Sequence, residues 1–200
     1  MSRIACFTAF VLAVPALADE PFPGENLFPL TVGNVWTYKV SGQDDRFVVR
    51  AVRQEMVGEQ TCVLLEANLK DRVVATEHVA FTKAGLCRFR VDTEDIDPPV
   101  CVLRPPTTGN RRWDTGKKQF HVGARSGVAS FSAKLEEITV GTKKYKTTAV
   151  HAEFTEFGRT VSSSDTWYAD GVGMVRQEIK EGKRTPLILE LEKFENAKGD

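Results

Sequence analysis

Cys62 and His78 are the residues whose types could most readily do chemistry together. A thiol beside an imidazole supplies a nucleophile and its base, the chemistry of a cysteine hydrolase. A turn at Lys70-Asp71, joining the segments 61–69 and 73–81, sets the two opposite each other across a hairpin. Against this stands the ordinary behaviour of a free cysteine, which is usually buried as a small apolar side chain. No catalytic residue is therefore assigned, and the chain reads as a non-enzyme before it reads as a hydrolase. His78, His121 and His151 lie too far apart in sequence for the helical histidine pairs that hold metals, so no metal site is expected. The run Asp92-Thr-Glu94-Asp95-Ile-Asp97 lacks the glycine and distal glutamate of a calcium loop and reads as a solvated acidic turn. Gly123-Ala-Arg-Ser126-Gly does not have the spacing of a nucleophile elbow. Gly171-Val-Gly173 falls between two strands without a lysine in register, which fits a tight turn and not a phosphate loop. No cofactor is implied.

Arg111-Arg112-Trp113 with Lys117-Lys118 forms a basic patch around an aromatic, read as a solvated hairpin tip beside a buried tryptophan. Trp36, Trp113 and Trp167 are all expected in the core, because large aromatics dominate the packing of small β domains.

These residues must be positioned by strands. From Val35 onward, short segments rich in Val, Ile, Thr, Phe and Tyr are separated by turn residues every eight to twelve positions, the pattern of an all-β domain. Trp36, Tyr38 and Val40 alternate with polar or small residues, as do Leu187, Leu189 and Leu191, giving the period of two of a half-buried strand. The segments 62–69 and 73–81 are apolar on both faces and need cover on both sides. The expected fold is all-β: a curved antiparallel sheet, half-barrel or barrel of about a dozen strands with at most one or two short helices. Val128, Phe131, Leu135 and Ile138 also fit a helical period and mark the one candidate helix.

The N-terminus bounds the compartment. Arg3, the apolar run from Ile4 to Val14 and the triplet Ala16-Leu17-Ala18 form a charged, an apolar and a small-residue region in the order of a secretory signal peptide. The run is shorter than the ~20 residues that span a bilayer. Residues 1–18 are read as that signal and 19–200 as a single domain, exported to the periplasm or beyond. Without Arg3, 26 basic residues face 27 acidic ones, a balance that favours neither nucleic acid nor an anionic membrane as partner. No second apolar segment approaches spanning length.

Export permits disulfides, and Cys62, Cys87 and Cys101 remain after cleavage. A turn centred near Glu94 sets Cys87 opposite Cys101, at the short Cβ separation a disulfide needs. Cys62 sits two strands from Cys87, roughly 10 Å away, and is expected free.

Two patches resemble a group of exported bacterial domains of unknown function. Phe28-Pro-Leu-Thr-Val-Gly-Asn34-Val-Trp36-Thr-Tyr38 is similar to their opening FPL-x-VGN-x-W-x-Y motif. The segment from Asp165 to Glu178, with Trp167, Gly171, Gly173 and Val175, is similar to their closing W-x-A-x-GVG-x-V-x-x-E motif. Leu103-Arg-Pro-Pro, Gly109 and Trp113 match between them in order and type. The resemblance implies an antiparallel β fold akin to the half-barrels of periplasmic lipoprotein carriers, and no established activity. Many of these domains are lipid-anchored, and this chain lacks the lipidated cysteine. Its shared residues read as structural, with Gly33-Asn34 turning into the first strand and Trp36 and Trp167 filling the interior.

The expectation is a binding or envelope-accessory protein whose apolar concave face holds a lipid, a peptide, another apolar small molecule or a partner's strand. A packed interior would leave only a structural or assembly role.

Overall fold

In the computed structural model, residues 24–104, 110–115, 119–122 and 125–197 are described. Residues 1–18, read above as a signal peptide, Pro105-Pro106, Gly109, Lys117-Lys118, Gly123-Ala124 and residues 198–200 lie outside them. One 3₁₀ turn, Glu25–Leu27, precedes thirteen strands. They are β1 Val35–Val40, β2 Arg46–Val57, β3 Gln60–Leu69, β4 Arg72–Thr82, β5 Gly85–Val91, β6 Glu94–Leu103 and β7 Arg111–Asp114, followed by β8 Phe120–Val122, β9 Arg125–Val140, β10 Lys143–Glu156, β11 Arg159–Ala169, β12 Gly173–Glu181 and β13 Leu187–Glu195. No helix among the described residues is long and apolar enough to cross a membrane.

Every pairing is antiparallel, and neighbours in sequence are mostly neighbours in space. The meander runs from β1 to β6, and again from β9 to β13, whose far edge pairs with β1. Twelve strands thus curl round until the ends of the sheet meet. The seam lies beside β6, where the short β8 adds only Ile96↔Val122 and Asp97↔His121 before turning into β9. There β7 pairs with β9 on the other side of the gap. Irregularities in β2, β4, β5 and β11 add the local twist that such curvature requires.

Several sequence expectations change. The segment 128–138 is part of the long strand β9, because both its edges are claimed by partners, β10 on one side and β7 and β8 on the other. β6 begins at Glu94, so only Asp92-Thr93 of the acidic run is a turn, and Glu94 to Asp97 belong to a strand. Arg111-Arg112-Trp113 is strand β7 and not a hairpin tip, with both arginines exposed and Trp113 buried against Phe131 at 5.2 Å. β13 continues to Glu195, and beyond it the Ala197 amide donates to Asn34 Oδ1 at 2.7 Å.

A ring of about eight strands is just filled by its own side chains. Twelve enclose more space, and this fold fills only one end of it. Phe28 stacks on Trp36 at 5.0 Å, and Trp36 on Phe194 at 5.4 Å. The Trp36 indole N–H donates to the Val172 carbonyl at 2.6 Å, and the Tyr38 hydroxyl donates to the Met174 carbonyl at 3.1 Å. Asn34, fully buried, donates to the Pro29 carbonyl and accepts from Ala197. The opening and closing motifs therefore fold onto each other as a plug. Gly173 belongs to it by necessity: its φ is +100°, in the left-handed region, and a Cβ there would stand 2.8 Å from the Trp36 indole nitrogen.

Candidate functional site

Above the plug the interior is open. A cavity of about 640 Å³ is lined by inward residues of nearly every strand, among them Val49, Leu65, Val79, Val100, Phe131 and Val150. This volume falls within the roughly 300–1,000 Å³ of small-molecule sites. The lining also includes Gln43, Leu69, Val91, Phe154 and Leu187, which lie at or beside the hairpins β1–β2, β3–β4, β5–β6, β10–β11 and β12–β13. All five hairpins turn at the same end, opposite the plug, and that end is the mouth.

Strand periodicity explains the lining. Odd-numbered residues of β3 and β4 point inward and even-numbered ones outward, so each strand presents one apolar set to the cavity and another to the outside. The inner set is interrupted by one ion pair. Arg88 Nε lies 2.9 Å from Glu77 Oε2. Both groups sit about halfway down their strands, ringed by the sheet, yet their side chains remain 37% and 31% exposed because they face free space. The pair raises the Arg88 pKa further above its ordinary range, chiefly through the Glu77 charge. Nearby Tyr168 is pushed up to about 12, first by burial and against the pull of Arg88, so it stays a phenol at neutral pH. Gln177 Nε2 donates to the Thr166 hydroxyl at 3.1 Å, adding neutral polar groups on the facing wall.

The sequence-selected pair does not meet as expected. Leu64, not Cys62, faces His78. The hairpin pairs Leu69 with Arg72, and a bulge at Ala67/Asn68 shifts the register once more, carrying Cys62 two positions away. Cys62 is instead paired in register with Glu55 and packs with Val57, Ala80 and Phe89 on the outer face. Burial pushes its thiol up to about 11, the opposite of an activated nucleophile. His78 is 4% exposed and its Nε2 donates to Glu55 Oε2 at 2.6 Å, while Nδ1 is buried without a partner.

Hydrogen bonds, from His78 first and Arg53 next, hold the Glu55 carboxyl below the usual carboxylate range. A carboxyl depressed in the folded state stabilises above its unfolded pKa and loses that contribution as pH falls through the folded value. Stability should therefore decline below about pH 4.3, the ordinary glutamate value. Urea midpoints measured from pH 7 to 3 should show a shallower acid limb for Glu55→Gln than for the native chain, and superimposable limbs would remove the role given to this carboxylate.

Cys87 and Cys101 are joined by a disulfide between paired positions, leaving Cys62 as the free cysteine. The turn lies at Asp92-Thr93 and not at Glu94, and an irregularity between Arg88 and Arg90 restores the expected alignment at the cysteines. Trp113 is core, with its indole N–H donating to the Cys101 carbonyl at 2.8 Å. Trp167 does not fill the interior: Thr166 and Tyr168 take the inward positions of β11, and Trp167 lies half-buried outside, donating to Glu136 beneath Arg176. His151 is partly exposed and bonded through Nδ1 to Asp165 at 2.8 Å. His121 is aligned with Asp97 in the ladder at the seam. The acidic run is spread along β6, where Asp95 pairs with Arg90 and Ile96 is buried. Gly171 and Gly173 bound the β11–β12 turn. Sequence reasoning missed Glu77 and Arg88, although their inward parity within apolar strands was the available signal.

No protein-family model and no curated protein matches the chain. Among solved structures, it is similar to a candidate lipoprotein of Parabacteroides distasonis, at a TM-score of 0.47 and 13% identity over 84% of this chain and 98% of the other. A candidate exported protein of Bacteroides fragilis, described with a YmcC-like fold, gives 0.47 and 12% over 84% and 98%. The hypothetical lipoprotein YmcC of Escherichia coli gives 0.37 and 12% over 85% and 94%.

Proposed function

We propose that this is an exported, non-enzymatic binding protein that holds an apolar or amphiphilic molecule inside its curled sheet. The observation that carries the reading is the cavity: the plug fills one end of the interior, and apolar side chains line an open volume at the other. Apolar lining with a few convergent polar groups is the usual composition of a ligand site. Export is supported by the signal-like first 18 residues and by the Cys87–Cys101 disulfide, which suits an oxidising compartment. A purely structural role would leave the open volume without a use.

Ala67 and Ala75 are paired neighbours on β3 and β4, and both face the cavity. Replacing both with tryptophan adds bulk to empty space. Native mass spectrometry of protein purified from its own envelope should show a co-purifying small molecule with the native chain and none with this double variant. Titration with the neutral dye N-phenylnaphthylamine should give saturable binding that the variant weakens by more than about tenfold. Equal dye binding by a folded variant, judged by circular dichroism, would refute the cavity as the site.

A further inference from the structure

We propose that the cavity takes a single-chain amphiphile head-first, with a zwitterionic head seated between Arg88 and Glu77 and the apolar chain leading to the mouth. This rests on the cavity being the binding site and goes further in naming the ligand's chemistry and its orientation.

Position sets the orientation. Glu77 lies midway along β4 and Arg88 midway along β5; from them Leu69, Ala75, Val91, Phe154 and Leu187 give an apolar path to the mouth, flanked by the uncharged Ser162 and Ser164 of β11 and by Gln43 at the rim. A charged head left along Leu69, Ala75 and Val91 would have no opposite charge beside it, and a chain pushed inward would bury two charges against methylenes. The reverse arrangement satisfies both ends. Beyond the entrance the apolar character continues: Phe157, at the tip of β10–β11, is 99% exposed, and Val73 and Val74 beside the β3–β4 turn are each 52% exposed. These side chains extend the path of a chain longer than the cavity.

Charge sets the class of head. The ion pair is neutral as a unit, and an enclosed site tolerates an uncompensated charge poorly. A head with one negative charge would compete with Glu77 for Arg88 and leave the site with a net charge. A zwitterion places its anion on the guanidinium and its cation on the carboxylate, and neutrality is kept. The existing pair has room for this, since its contact runs through Arg88 Nε, at 2.9 Å from Glu77 Oε2. The terminal nitrogens of Arg88 donate no hydrogen bond among the described residues, so the fork can donate to a phosphate or carboxylate. Tyr168 and the Thr166–Gln177 pair supply uncharged partners close by.

The test compares three probes of equal chain length below their critical micelle concentrations: a lysophosphatidylcholine, a fatty-acid carboxylate and a monoacylglycerol. Each is titrated calorimetrically into the full mature chain. The native protein should bind the zwitterion about tenfold more tightly than the carboxylate. Glu77→Gln leaves Arg88 unopposed and should turn that preference toward the carboxylate. The pair Glu77→Gln with Arg88→Gln, which restores neutrality without charge, should erase the preference, and it serves if the single variant fails to fold. Equal affinities for all three probes in the native chain, or a preference untouched by Glu77→Gln, would overturn the head-first assignment. If the neutral dye binds but the heads are not distinguished, only this assignment fails; if nothing binds, the cavity reading falls with it.

Discussion

Trp36→Ala is expected to cost about 3–5 kcal/mol, the range of a large aromatic deleted from a packed core. The indole is fully buried, is stacked on both faces by Phe28 and Phe194, and ties β1 to the Val172 carbonyl on the far side of the chain. Removing it empties the plug and also strands that carbonyl, at a further ~1–3 kcal/mol if water cannot reach it. Since whole domains are stable by only about 5–15 kcal/mol, the variant should be close to unfolding at ambient temperature. Trp36→Phe separates the two contributions, because it keeps the stacking and loses only the donor. Urea unfolding followed by far-ultraviolet circular dichroism should rank the native chain, Trp36→Phe and Trp36→Ala in descending order. A loss below about 1 kcal/mol for the alanine variant, less than one buried hydrogen bond is commonly worth, would show that the plug does not hold the fold closed.

Loss of the Cys87–Cys101 bridge should cost about 3 kcal/mol, as expected for a cross-link whose ends are 14 residues apart. The bond fastens β5 to β6, the last strand before the weakly bridged seam, and the Cys101 carbonyl receives the indole N–H of Trp113. Its removal therefore loosens the sheet where the ladder is thinnest. Unfolding midpoints with and without reductant, alongside the double variant Cys87→Ala and Cys101→Ala, measure the effect. Non-reducing peptide mapping should recover Cys62 as a free thiol that alkylates only on unfolding, since it is buried and its thiol is pushed up to about 11. Identical midpoints in the two redox states would mean that the bridge adds nothing to stability.

The site differs in how much of it could be read in advance. Inward and outward alternation is a local property, so Leu187-Leu189-Leu191 and the double-faced β3 and β4 were legible as strands around a shared interior. That Cys87 and Cys101 lie on adjacent strands was legible from the short segment between them, whereas their exact alignment depends on the irregularity between Arg88 and Arg90, which offsets the turn's true position at Asp92-Thr93. Cys62 and His78 were not legible, because the hairpin register and a bulge at Ala67/Asn68 each shift the pairing by one, and a bulge leaves no clear mark in composition. Trp167 was misplaced for a similar reason: its parity on β11 was open, and the inward positions went to Thr166 and Tyr168.

The amino-acid sequence by itself determined strand content and the apolar character of the faces, since these depend on residues a few positions apart. Curling the strands round to meet, and leaving the middle empty, was decided only by tertiary structure. The opening motif meets the closing one across 136 residues, and the side chain of Arg88 meets that of Glu77 only after two strands have been bent and registered. Such contacts depend on sums of small twists and shifts along many strands, and no single stretch of chain encodes that sum.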